Sequence, residues 1–361
     1  MPSDKPTVLS LLRLLPESPE TFRTAVDALI ASGDQPRLDR LFVESGYHGV
    51  SGVIDRRLSA QPLPPPLADR VLRRIAVEEI WEQHLRGTLE DVAYRLNQAG
   101  IVPVALKGPV LGARFYSPAA TRYCVDLDIL VRDTEFESAS EVMIAAGFEP
   151  EDGLSAAYHR RYSHHLEFAK SGAPLIEVHF RAYAGFGVNI DSDAFLGRAQ
   201  PWPLGRATVA VLAPEDECIY LAAHAAGHSF TRLVWLHDLK LLLTQSAVDW
   251  QIIDARARAL GLFVPVMFAM MLLERWLGFR PAGVPRPALG VRAGLAAAMV
   301  STVARLQERG WRDNLEGLVF TALLCDRVGA SAWLVTHHSG RALRRRLKQV
   351  VPGLLPDHWA S

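Results

Sequence analysis

Three cysteines in 361 residues, Cys124, Cys218 and Cys325, are too few and too scattered for a disulfide framework or a zinc-binding pattern. Excess charge is missing as well. Lysine plus arginine number 39 and aspartate plus glutamate 39, so the chain has no general electrostatic footprint for duplex nucleic acid or an acidic membrane. The longest apolar stretches, such as Leu262–Leu273, fall short of a membrane span. The opening residues MPSDKPTVLSLLRLLPESPE hold only a short apolar run broken by proline and acids, which does not read as a secretory signal. No G-x-G-x-x-G follows a strand, and strands do not alternate regularly with helices, which argues against a doubly wound dinucleotide fold. No internal repeat is found. These absences lead us to expect a soluble, cytoplasmic protein with no membrane partner, long enough for two or three packing units.

What is present divides into three regions by hydrophobic period. Residues 1–100 read as helical, broken by the prolines at Pro62–Pro66 and followed by a long amphipathic pattern in which Leu85, Leu89, Val92 and Leu96 share a face. In residues 101–213 the period moves towards two, with strands expected at Val102–Leu106, Val125–Val131, His164–Ala169, Leu175–Phe180 and Thr208–Leu212. One helix interrupts these strands. Thr134 and Glu137 have capping-box spacing, Phe136, Ala139 and Met143 form its buried stripe, and Gly147 ends it. Residues 214–361 read as helical apart from a proline-glycine region at Arg280–Gly290. The pattern predicts an α+β fold, a small mixed sheet between N-terminal and C-terminal helical regions.

The chemistry is concentrated in ALKGPVLGARFYSPAATRYCVDLDILVR, Ala105 to Arg132. Val125, Leu127, Ile129 and Val131 alternate with Asp126, Asp128 and Leu130, so the two carboxylates leave one face of one strand, about 6–7 Å apart at Cα. Like charges so placed are costly unless a cation or a proton relieves them. Carboxylates at that spacing can hold two divalent ions about 3.5–4 Å apart. Upstream, Gly108 permits close backbone approach and Pro109 suits the first turn of a helix reaching about Tyr116. Free N–H groups there, with Lys107 beside them, would face a phosphate. In PLIEVHF, Pro174 to Phe180, Glu177 and His179 oppose Ile176, Val178 and Phe180. A strand placed beside the aspartates would let Glu177 join the metal site and accept a proton from an incoming hydroxyl. Glu167 is the weaker candidate for that role.

Together these motifs resemble the DNA polymerase β-like nucleotidyltransferase superfamily. The nearer similarity is to its bacterial branch of uncharacterised nucleotidyltransferases, found beside peptide-modification and surface-polysaccharide genes. The resemblance rests on Lys107-Gly108, Arg122, Asp126-x-Asp128, IEVH at Ile176–His179, His224 and His228, and Trp235-x-x-Asp238-Leu239, spanning about Ala105 to Leu243. It implies a polymerase β-like core that moves a nucleoside monophosphate from a nucleoside triphosphate to an acceptor with Mg²⁺ or Mn²⁺. Asp126, Asp128 and Glu177 are then the catalytic and metal-binding residues, and Lys107, Gly108 and Arg122 the nucleotide-binding ones. The turn departs from the Gly-Gly or Gly-Ser of many superfamily members, and the gap to the aspartates is longer.

Several residues admit a second reading. Arg122 suits bidentate phosphate binding and a structural pair with an aspartate equally well. His224 and His228, four apart on one helical face, either line a cleft or simply pack; without H-E-x-x-H a zinc protease is disfavoured. His237-Asp238 is a weak match to the metal phosphohydrolases, and Trp235 and Asp238 can equally brace a helix. The run Arg341, Arg344, Arg345, Arg346 and Lys348 reads as the solvated side of an amphipathic helix. Two other functions compete: a metal-dependent glycosyltransferase, which also uses Asp-x-Asp, and a non-catalytic peptide- or partner-binding protein. The acceptor is not legible, although the neutral charge favours a small molecule or peptide over tRNA.

Overall fold

The computed structural model describes residues 11–13, 19–151, 163–285, 290–299, 315–327 and 329. Helices α1 (Pro19–Ala31), α2 (Gln35–Tyr47) and α3 (Ser51–Ser59) lead into α4 (Pro65–Gln98). Asp34 caps α2 by accepting the Arg37 N–H, and Pro65 opens α4 where its missing N–H costs nothing. At 34 residues α4 is about 50 Å long. Its ends belong to different cores, Leu67, Val71 and Ile75 to one and Leu85, Leu89, Val92 and Leu96 to the other.

The mixed region forms a seven-stranded sheet. Its strands are β1 (Val104–Ala105), β2 (Asp126–Leu130), β3 (Glu149–Pro150), β4 (His165–Ala169), β5 (Leu175–His179), β8 (Gln200–Leu204) and β9 (Ala207–Val211), in the order β3-β4-β5-β2-β1-β9-β8. Strands β6 (Arg181–Gly185) and β7 (Val188–Asp191) form a separate hairpin. Between β1 and β2 lies α5 (Pro109–Phe115), and between β2 and β3 lies α6 (Phe136–Ala145). The short α7 (Asp193–Leu196) follows the hairpin. After the sheet come α8 (Pro214–Gly227), α9 (Leu233–Gln245), α10 (Trp250–Leu260), α11 (Phe263–Leu277), α12 (Val291–Met299) and α13 (Leu315–Leu324). The α+β expectation therefore holds. No helix among the described residues is long and apolar enough to cross a membrane. The basic run at 341–348 lies outside the described residues.

The five expected strands all form, four of them somewhat shorter than expected and the last shifted by one residue to Ala207–Val211. Four further strands were not expected, and proline explains two of them. Pro150 lies on β3 and Pro201 and Pro203 on β8, and these are the two edges of the sheet, where a missing N–H costs no ladder bond. The start of α6 differs as well. A 3₁₀ turn at Asp133–Glu135 precedes it, and Glu135, not Glu137, turns back to accept the Arg132 N–H at 3.1 Å. Gly147, at φ 84°, closes that segment as expected.

Alternation splits the sheet between two cores. Leu127, Ile129, Ile176, Val178, Leu166 and Phe168 face α6 and the second half of α4, where the Phe136 and Phe180 rings lie 4.4 Å apart. The opposite face, with Val104, Leu106, Leu130 and Leu212, joins the larger core, which contains residues from α1–α3 together with α8, α9 and α11. The two helical flanks thus share one apolar interior, and the Val234 N–H donates to the His48 carbonyl between them.

His48 is buried there, and burial pushes its pKa down to about 4. Folded His48 stays neutral at pH values where the unfolded chain binds a proton, so its contribution is full above about pH 6.5 and is lost as pH falls towards 4. Replacing it (His48→Gln) is expected to flatten the stability profile in that window by about 1.4 kcal/mol per pH unit. Urea melts of both proteins at pH 7 and pH 5 measure this; parallel profiles would contradict it.

Candidate active site

The aspartate strand and the glutamate strand are neighbours. Strand β2 pairs with β5 in parallel, and Asp128 stands directly opposite Glu177. With Leu127 and Ile129 turned into one core, Asp126 and Asp128 face the other way, and Glu177 and His179 share that face. Glu167 on β4 lies opposite Glu177, one strand further out. Three sequence-predicted carboxylates therefore share the sheet face turned to the C-terminal helices, and Asp128 and Glu177 stand side by side on it.

Asp128 is 3% exposed and sits at the centre. Its Oδ1 lies 2.9 Å from Lys107 Nζ and 3.5 Å from His179 Nε2. Neither contact has hydrogen-bond geometry, so this buried oxygen keeps unused acceptor capacity. His179 Nε2 lies 3.2 Å from Glu177 Oε2, and Lys107 Nζ lies 3.4 Å from His224 Nε2. Asp128, Glu177 and His179 each offer a ligand atom within 4.8 Å of the others.

Charge is distributed unequally over this group. Burial raises the Asp128 pKa, but Lys107 and His179 together outweigh it and hold the carboxyl well below its usual range. Asp126 goes the other way: burial first, then the Asp128 charge, pushes it up against the pull of Lys107. Burial also opposes ionisation of Glu177, yet contact with His179 lowers it overall. His179 is raised because Asp128 and Glu177 overcome the effect of burial. Two carboxylates whose ionised forms are favoured beside a third whose ionised form is disfavoured make a site suited to a cation.

Gly108 fixes the other wall. At φ 75° and ψ −145° it occupies backbone territory almost closed to other residues, immediately before α5. A Cβ there would find space, its nearest neighbour being 3.8 Å away, so the obstacle is conformational. Gly108→Ala is expected to cost about 1–3 kcal/mol of stability and to move Lys107 away from Asp128. Thermal unfolding tests the first effect, and an unchanged midpoint would refute it.

Of the two sequence readings of Arg122, the structure shows the structural pair with an aspartate. Its Nε and Nη2 donate to the two oxygens of Asp238 at 2.9 and 2.8 Å, and both side chains are buried. Its Nη1 lies 3.5 Å from the Gly108 carbonyl, so the pair reaches the turn. The Tyr116 hydroxyl donates to Asp238 at 2.6 Å. With its carboxylate so engaged, Asp238 is a brace between α9 and the turn region, and the phosphohydrolase reading of His237-Asp238 lapses. A parallel brace, which the sequence reading missed, joins Arg114 of α5 to the buried Glu217 of α8 at 2.7 and 2.8 Å.

His224 faces the site through Lys107, while the rings of His224, His228 and Trp235 lie 4.5–5.3 Å apart by centroid. Also missed were His164 and His165, which the β4–β5 pairing brings to the edge of the carboxylate group. The adjacent pair before LEFA was the available signal, but nothing in the sequence states which strand it faces.

A family model described as an uncharacterised nucleotidyltransferase matches residues 34–278 and so contains every site residue named above. No curated protein and no solved structure matches the chain.

Proposed function

Because the chain belongs to the uncharacterised nucleotidyltransferase family, we propose that it moves a nucleoside monophosphate from a nucleoside triphosphate to an acceptor hydroxyl, on a polymerase β-like core, using Mg²⁺ or Mn²⁺. The observation that carries this reading is the register of β2 and β5, which sets Asp128 beside Glu177 with Asp126 on the same face. Three carboxylates offer a hard, all-oxygen donor set, and Asp128 Oδ1, ion-paired with Lys107 but accepting no hydrogen bond of good geometry, fits the same ion class. Divalent ions held by Asp126, Asp128 and Glu177 would neutralise triphosphate charge and make the attacking oxygen more nucleophilic.

The protein's own groups do the rest. Lys107 is a point charge for the phosphates, with the Gly108 N–H beside it. Glu177, steadied by His179, accepts the proton of the acceptor hydroxyl. A bond forms from that oxygen to the α-phosphorus as the bond to pyrophosphate breaks, and pyrophosphate leaves. Arg122 and Asp238 act at a distance by holding the Gly108 turn. The neutral charge balance of the chain favours a small-molecule or peptide acceptor over tRNA.

The test is product analysis with each triphosphate and each sugar nucleotide, supplied with Mg²⁺ and a panel of hydroxyl acceptors. Pyrophosphate released only from triphosphates is the expected result. Nucleoside diphosphate released only from sugar nucleotides would establish the glycosyltransferase reading instead, and no turnover with no nucleotide bound would leave a binding protein.

A further inference from the structure

We propose that His164, His165 and His179 form a second metal site, rich in nitrogen and selective for a divalent transition metal, alongside the carboxylate site. His165 and His179 stand opposite one another across the antiparallel β4–β5 pair, and His164 immediately precedes His165. The three rings lie 4.4, 5.0 and 5.6 Å apart by centroid, and one ring nitrogen of each is within 4.8 Å of the others. His164 Nε2 and His165 Nδ1 are 3.1 Å apart. Two ligands of a tetrahedral ion with bonds of 2.0–2.1 Å stand about 3.3 Å apart, so small adjustments would seat one.

Two further observations point to a ligand. His179 is 6% exposed, and its Nδ1 is buried with no hydrogen-bond partner. Such a nitrogen is costly to bury unless something outside the protein satisfies it. Secondly, each strand histidine places a ring nitrogen beside a carboxylate. His165 Nε2 lies 3.4 Å from Glu167 Oε1, and His179 Nε2 lies 3.2 Å from Glu177 Oε2. A carboxylate on the far nitrogen is the usual support of a metal-bound imidazole, because it fixes the tautomer and raises ligand basicity.

Ligand chemistry separates the two sites. Imidazole suits Zn²⁺, Co²⁺ or Ni²⁺, whereas the Asp126–Asp128–Glu177 group suits Mg²⁺ or Mn²⁺. Three nitrogens would leave a fourth coordination position of a tetrahedral ion for water or another ligand.

The experiment is Co²⁺ titration of the full chain in saturating Mg²⁺, followed by visible absorption and calorimetry. The expected result is tight binding of a single ion with the intense visible bands of tetrahedral cobalt. His164→Ala/His165→Ala should weaken it at least about 100-fold, and Glu167→Gln about 10- to 100-fold. Asp126→Asn should leave Co²⁺ affinity within about threefold while abolishing Mg²⁺-dependent triphosphate binding, which separates this site from the transferase reading. Circular dichroism checks folding, and Glu167→Gln carries the test if the double variant fails to fold. Co²⁺ binding undiminished in both His164→Ala/His165→Ala and Glu167→Gln, or lost in Asp126→Asn, would overturn the proposal. So would an absence of binding, which would leave His164 and His165 as a hydrogen-bonded imidazole pair.

Discussion

Asp128→Asn should lower pyrophosphate release by about a thousandfold or more while leaving the fold intact. The magnitude follows from the several kcal/mol that a bound divalent ion contributes to stabilising transition-state charge, each 1.36 kcal/mol being a factor of ten. Asp128 is the residue on which the site converges, with Lys107 at 2.9 Å, His179 at 3.5 Å and Glu177 opposite it across β2 and β5. An amide is close to isosteric but offers a single neutral oxygen. Removal of a buried partner ordinarily destabilises the charge left behind. Here the loss of Lys107's partner is offset, because the same change relieves repulsion with Asp126 and Glu177. The unfolding midpoint should therefore move little. Full activity in a correctly folded Asp128→Asn protein would remove Asp128 from the chemistry.

Asp238→Ala should have the largest effect on stability, a loss of about 3–5 kcal/mol. It leaves the buried Arg122 guanidinium without a counter-charge and the Tyr116 hydroxyl without its acceptor at 2.6 Å. Much of that cost belongs to the stranded charge, so Arg122→Met/Asp238→Leu should recover most of it. Nucleotide affinity should not recover with it, since the double variant still lacks the arginine beside the Gly108 carbonyl. Denaturant melts and triphosphate titrations of the three proteins separate these outcomes. A single-variant cost below about 1 kcal/mol would show that the pair is not the brace described here.

The contrast between these aspartates illustrates how far sequence reasoning reaches. Asp126, Asp128 and Glu177 were legible because strand alternation fixes which side chains share a face, and apolar neighbours at every second position reveal it. Their convergence needed one further fact, the parallel register of β2 with β5, and local patterns do not encode register between strands so far apart. Arg122 stayed ambiguous for the same reason: its partner lies 116 residues away, and a guanidinium suits phosphate and carboxylate alike. His164 and His165 gain meaning only when β4 is laid against β5. Strands β3 and β8 were hidden by prolines that exclude a central strand yet are tolerated at a sheet edge. The helical flanks were legible as regions, through the amphipathic period of residues such as Leu85, Leu89, Val92 and Leu96. Their shared core was not, since it joins residues from opposite ends of the described chain.

The central claim is that the Asp126–Asp128–Glu177 face binds a nucleoside triphosphate through divalent metal. Calorimetric titration of each triphosphate, with Mg²⁺ present and absent, into wild type and Asp126→Asn/Asp128→Asn tests it most directly. Binding of a triphosphate that requires Mg²⁺ and disappears in the double variant is the outcome in agreement with the claim. Triphosphate binding that is indifferent to Mg²⁺ and to both aspartates would contradict it.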